Sequence, residues 1–186
     1  MAIQERESVS PAAASAESFG FERIAYRKDS ETGVATVTID RQPVLNCFDF
    51  QTLREMARAF EDASWDEGVA VIVVTGAGER AFSTGADLDE QAEMGKTSGQ
   101  YWRWMGGFIE MHDRLRNIGK PTIARINGMA VGGGQELQLA CDFAVMVDDA
   151  YVQHVGPEHG SVPAGGATQW LPLTIGDRRA REMVLL

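Results

Sequence analysis

The chain has 186 residues, of which 44% are hydrophobic and 24% charged, a composition suited to one globular domain with a substantial core. A net charge of −10 at neutral pH excludes general nucleic-acid binding, and any anionic ligand would need a local basic or amide-rich patch. No run approaches the roughly 18 apolar residues of a membrane span. Cys47 and Cys141, far apart and in apolar surroundings, read as reduced and buried thiols, in keeping with a cytoplasmic protein.

Residues 1–20 are rich in Ala, Ser and Glu and lack a basic start followed by an apolar block, so they read as a flexible tail. A single domain is expected over 21–186. Segments 21–26 and 34–39 flank a polar turn, as in a hairpin, and Arg41-Gln42-Pro43 breaks the second strand. Lys28 and Arg41 are the basic groups here that could meet an anionic ligand. Over 50–63, Leu53, Met56, Ala57 and Phe60 recur at helical spacing. Residues 69–74 form a β-branched run typical of a strand buried on both faces. A glycine-containing loop is expected over 75–90, then a long helix over 102–115 carrying Trp104, Phe108, Met111 and Leu115 on one side. Strands are expected over 121–126 and 143–147, with a short helix over 135–142 between them. Residues 156–166 read as a loop, and 167–173 and 178–186 as helices. Strands alternating with helices predict an α/β domain with largely parallel strands. The chain stops inside an apolar run, which is expected of a fragment lacking a C-terminal portion.

Two segments concentrate the chemistry. Gly132-Gly133-Gly134 follows the apolar run 121–126 and leads into a helix, with Glu136 just inside it. A helix start leaves amides unpaired, and glycines let them approach an oxygen gaining negative charge. Ala81-Phe82-Ser83-Thr84-Gly85-Ala86-Asp87-Leu88 follows another buried strand. Loops at the carboxyl ends of parallel strands face one crevice, so each could lend one N–H to a single carbonyl oxygen. The run Gly76-Ala77-Gly78-Glu79-Arg80-Ala81 fits a dinucleotide-binding pattern, but that motif needs a helix starting at its second glycine and Phe82-Ser83-Thr84-Gly85 breaks one. No metal-ligand spacing and no G-x-S-x-G elbow occurs in the sequence.

AFSTGADLDE and INGMAVGGGQELQLACDFAVMVDDA, preceded by IDRQPVLN, resemble the signature segments of the enoyl-CoA hydratase/isomerase (crotonase) superfamily. The resemblance implies a spiral of ββα units whose C-terminal helical part is missing here. It also implies an acyl-CoA thioester with its oxygen between the amides of Thr84 and Gly133. Val44, Leu45 and Asn46, with Gly85, Ala86 and Asp87, would line the substrate and its CoA. Glu136 matches the first catalytic glutamate of family hydratases, and Gly156 stands where the second should be. Glu158 or His159 would then serve as the second proton-transfer group. The run GPEHGSVPAGGATQWLP resembles that of ring-opening hydrolases acting on 6-oxocyclohex-1-ene-1-carbonyl-CoA. His112 and His154 read as structural.

The implied activity is water addition to an enoyl-CoA, with ring-opening hydrolysis or acyl-CoA binding without turnover as alternatives. No cofactor is implied beyond the substrate's own CoA, and a homo-oligomer, trimer or hexamer, is expected from the resemblance.

Overall fold

A computed structural model describes residues 19–185, so most of the expected tail, and Leu186, lie outside the described residues. The first hairpin, β1 (Ile24–Asp29) and β2 (Val34–Ile39), is antiparallel, with Ile24 opposite Ile39. Every later pairing is parallel. β3 (Val71–Gly76) lies beside β2, β5 (Thr122–Ile126) beside β3, and β7 (Phe143–Met146) closes a five-stranded sheet of order β1-β2-β3-β5-β7. A second, smaller sheet stacks β4 (Ala81–Ser83), β6 (Met129–Val131) and β8 (Val152–Gln153), again in parallel. After the hairpin, each turn of the chain places one longer and one shorter strand before a helix, which is the expected ββα spiral.

The short sheet went unseen in the sequence. Strands of two or three residues are too brief to display a period. The stretch 75–90, read as one loop, instead holds β4 and the start of α2 (Leu88–Met94).

The helices form where an apolar stripe meets a capping side chain. α1 (Phe50–Trp65) starts at Asp49, whose side chain accepts the Thr52 N–H, and it buries Leu53, Met56, Phe60 and Ala63. α3 (Ser98–Arg116) starts at Thr97, which caps Gln100, and buries Trp104, Phe108, Met111, His112 and Leu115. α1 lies against β1 and β2, α3 packs on α1, and their apolar faces merge with Val37, Ile39, Ile72 and Val74 into one core. α4 (Gly133–Ala140), α5 (Ala167–Ile175) and α6 (Asp177–Leu185) follow the glycine run. Arg116 ties α5 to α3: its guanidinium lies 3.8 Å from the Trp170 ring centroid while Nη1 donates to the Leu139 carbonyl.

Strand β7 is exposed along its whole length, with Phe143 63% and Val145 57% accessible. No described helix is long and apolar enough to cross a membrane. Burial pushes the Cys47 thiol up to about 11 and the Cys141 thiol up to about 12, so both stay protonated at neutral pH.

Phe60 of α1 is fully buried, so Phe60→Ala is expected to cost about 3–5 kcal/mol through lost burial and the cavity left behind. Urea unfolding of the two proteins measures it.

Candidate functional site

Two buried asparagines fix the loops around the site. Asn127 accepts the Gly76 N–H at 3.0 Å and donates to the carbonyls of Gly78 and Ala81. Asn46 donates to the carbonyls of Ala77 (3.0 Å) and Ala81 (2.8 Å) and accepts the Arg41 N–H. Leu45 and Asn46 both sit at φ 55°, a region costly for Leu, and these side-chain bonds hold the turn there. Asn46 is therefore corrected from a ligand contact to a buried brace; it is 1% exposed. Val44 is exposed and Leu45 half-buried, so their side chains stay open to a ligand.

A cluster of charges joins the same turn to the loop after β4. Arg41 reaches Asp49 (3.2 Å), Asp87 (3.0 Å) and the Cys47 carbonyl (2.8 Å). Burial opposes ionisation of Asp87, yet the Arg41 hydrogen bond and the Glu90 amide hold its carboxyl below the ordinary carboxylate range. Asp87 also caps α2 through the Glu90 N–H. Arg41 and Asp87, both candidates for meeting the ligand, thus have their charged ends committed to each other. Lys28 is likewise committed, to Asp62 (2.9 Å) and Asp66 (2.7 Å).

The two glycine turns meet as expected, but with a different donor. Thr84 gives its N–H to the Leu45 carbonyl at 3.2 Å, and Gly85 gives its own to Ser83 Oγ at 3.1 Å. Ala86 is the next residue along. Its neighbours on either side pair with Phe48, through the Gly85 carbonyl and the Asp87 N–H, so the Ala86 N–H points away from Phe48. Neither Ala86 nor Gly133 spends its N–H on an acceptor among the described residues. Gly85 adopts φ +85°, and a Cβ there would lie 2.6 Å from the Gly133 nitrogen. The backbone approach therefore requires glycine on both counts. Thr84 is corrected to a structural donor, and Ala86 takes its place as the open amide beside Gly133.

Glu136 is 4% exposed, at the first turn of α4. Its Oε1 accepts the N–H groups of Gly165 (2.8 Å) and Ala167 (3.2 Å). Burial lifts its pKa above the ordinary carboxylate range, and these amide bonds offset that only in part. Glu158 and His159 lie in an exposed 3-10 turn, Pro157–His159, and neither side chain makes a hydrogen bond among the described residues. The structure does not bind them to Glu136. His112, read as structural, is buried on the apolar face of α3, four residues after Phe108.

A parallel ββα spiral with two touching glycine turns and a buried carboxylate defines the class, and the comparisons agree. The family model described as enoyl-CoA hydratase/isomerase matches residues 29–186. The chain belongs to this family. It is 38% identical over 147 residues to a 6-oxocyclohex-1-ene-1-carbonyl-CoA hydrolase of Geobacter metallireducens, covering 78% of this chain and 39% of the relative. The hydrolase of the same name from Thauera aromatica is 39% identical, covering 77% of this chain and 38% of the relative. An enoyl-CoA hydratase structure from Bacillus anthracis superposes with a TM-score of 0.81 at 32% identity, over 88% of this chain and 62% of that one. An enoyl-CoA hydratase/isomerase from Xanthobacter autotrophicus Py2 gives 0.81 at 32% identity, over 89% and 60%. The chain thus spans under two fifths of these curated relatives and about three fifths of these structures.

A carboxyl whose folded pKa is raised costs stability above that pKa and stops costing it as pH falls through it. Glu136→Gln is therefore expected to melt higher than the parent at about pH 8, with the gap closing toward about pH 4. Thermal melts across that range test the sign.

Proposed function

We propose that this site adds water across the α,β double bond of an enoyl-CoA thioester. The observation that carries this is the pair of unspent amides, Ala86 and Gly133, on touching backbone turns beside a buried carboxylate. Two N–H groups converging on the thioester oxygen stabilise the charge that develops there as water attacks the β-carbon. Glu136 takes the proton from that water, a task suited to a carboxylate whose pKa lies above its ordinary value. The exposed Val44 and the half-buried Leu45, next to the Gly85–Ala86 turn, are the groups on which the CoA portion would rest. The addition as written draws on no cofactor besides the CoA of the substrate.

A second reading is ring opening of a cyclic 6-oxo-enoyl-CoA, in which the same water addition precedes cleavage of a C–C bond. The names of the two curated relatives favour it. So does the site itself, which presents one buried carboxylate while Glu158 and His159 face solvent.

Turnover of crotonyl-CoA and of 6-oxocyclohex-1-ene-1-carbonyl-CoA, assayed side by side, separates the two readings. Gly85→Ala pushes a methyl against the Gly133 nitrogen and is expected to lower kcat by about a hundredfold or more on whichever thioester reacts. Circular dichroism would confirm that the variant is folded. A folded Gly85→Ala protein, or a Glu136→Gln protein, that retains the full rate overturns the assignment.

A further inference from the structure

The N–H of Phe50, first residue of α1, is one that the helix itself cannot use. A side chain from another element takes it: Glu90 Oε2, in the first turn of α2, accepts it at 2.6 Å. The same oxygen accepts the indole N–H of Trp104, on α3, at 3.0 Å. One half-buried carboxylate thus joins three helices, and the two groups it accepts are neutral. A carboxylate at a helix start also meets the positive end of the helix dipole, which favours this seat.

On one side the carboxylate closes a ladder around Ala86. The Phe48 N–H goes to the Gly85 carbonyl at 2.6 Å, and the Asp87 N–H to the Phe48 carbonyl at 2.8 Å. The next rung is the Phe50 N–H on Glu90, whose own N–H returns to Asp87 Oδ1 at 3.3 Å. Ala86, with its open N–H, lies inside these rungs. Arg41 braces the same loop toward the 41–49 turn, whereas the Glu90 bond runs to α3.

On the other side the tie continues through aromatic rings. Trp104 is 2% exposed and stacks on Phe108, with centroids 5.6 Å apart and planes 13° from parallel. Phe108 Cε2 lies 3.0 Å from the place of a Cβ on Gly133. That place is one bond from Cα, so the ring is no more than about 4.5 Å from the Gly133 Cα, which is van der Waals contact. Both turns with open amides are therefore tied to Glu90, one through α2 and one through Trp104 and Phe108.

We propose that Glu90 is a positioning residue that sets the spacing of the Ala86 and Gly133 amides. It does so by holding α2 to the first turn of α1 and to the Trp104–Phe108 stack. This rests on the water-addition reading and deepens it. The thioester oxygen needs both donors in place as its charge develops, so misplacing either weakens that step more than it weakens binding. Glu90 itself touches no reacting atom and carries no proton in the reaction.

Three variants test this. Glu90→Ala removes both bonds, Trp104→Phe removes one and keeps an apolar ring, and Glu90→Gln keeps an oxygen that can accept both. With whichever of the two thioesters reacts, Glu90→Ala and Trp104→Phe are expected to lose about tenfold in kcat, with KM within about twofold of the parent. That loss is smaller than the roughly hundredfold expected when a donor is removed outright. Glu90→Gln should recover most of the rate. Proton–nitrogen-15 NMR of the free proteins gives a second readout. The amide resonances of both Ala86 and Gly133 should move in Glu90→Ala, and by less in Glu90→Gln. Gly133 shares no hydrogen bond with Glu90 among the described residues, so a role confined to anchoring α2 would leave its resonance in place. A folded Glu90→Ala or Trp104→Phe protein with parental kcat, a loss confined to KM, or an unmoved Gly133 resonance overturns the proposal. Should the parent turn over neither thioester, the water-addition reading falls, while the resonances still decide whether Glu90 sets the two amides. If Glu90→Ala and Trp104→Phe do not fold, the Gly133 resonance in Glu90→Gln decides it.

Discussion

The constraint on which the site depends is the contact between two stretches of bare backbone, at Gly85 and Gly133. Side chains are excluded there by distance: a Cβ on either glycine would run into the other turn or into the Phe108 ring. The parallel pairing of β4 with β6 brings these turns together, and Asn46 and Asn127 hold the start of β4 by sharing the Ala81 carbonyl. Two amides therefore stay unspent without disorder in the chain around them. In a protein interior an unpaired N–H is costly. Here that cost is localised at two positions, beside the carboxylate that completes the arrangement.

Polar groups were committed to structure wherever the site could spare them. Arg41, Asp49 and Asp87 bind one another and lock the turn at 41–49 to the loop leading into α2. A sequence reader sees charges near a likely ligand and assigns them to it; the fold instead uses them to hold the open amides in register. The same holds for Thr84, whose N–H closes onto Leu45, and for Lys28, which links β1 to the end of α1.

Much of the architecture was legible because long periodic segments report burial directly. The stripe Leu53, Met56, Phe60 and the run 71–74 needed no partner to be recognised. The short strands β4, β6 and β8 were not legible, since pairing across the spiral defines them and local preference does not. Glu136 and Gly133 stood out through their spacing. Selecting Ala86 over Thr84 required knowing which N–H the Leu45 carbonyl had already taken. His112, read as structural, is buried on the apolar face of α3 with its Nδ1 on the Phe108 carbonyl.

Strand β7 carries a consequence of a different kind. Phe143, Val145 and Met146 leave the outer edge of the large sheet apolar and open, with no charge, proline or bulge to blunt it. Such an edge is a template on which any extended segment can add by main-chain hydrogen bonds. Four successive residues of one strand thus leave that edge available for pairing.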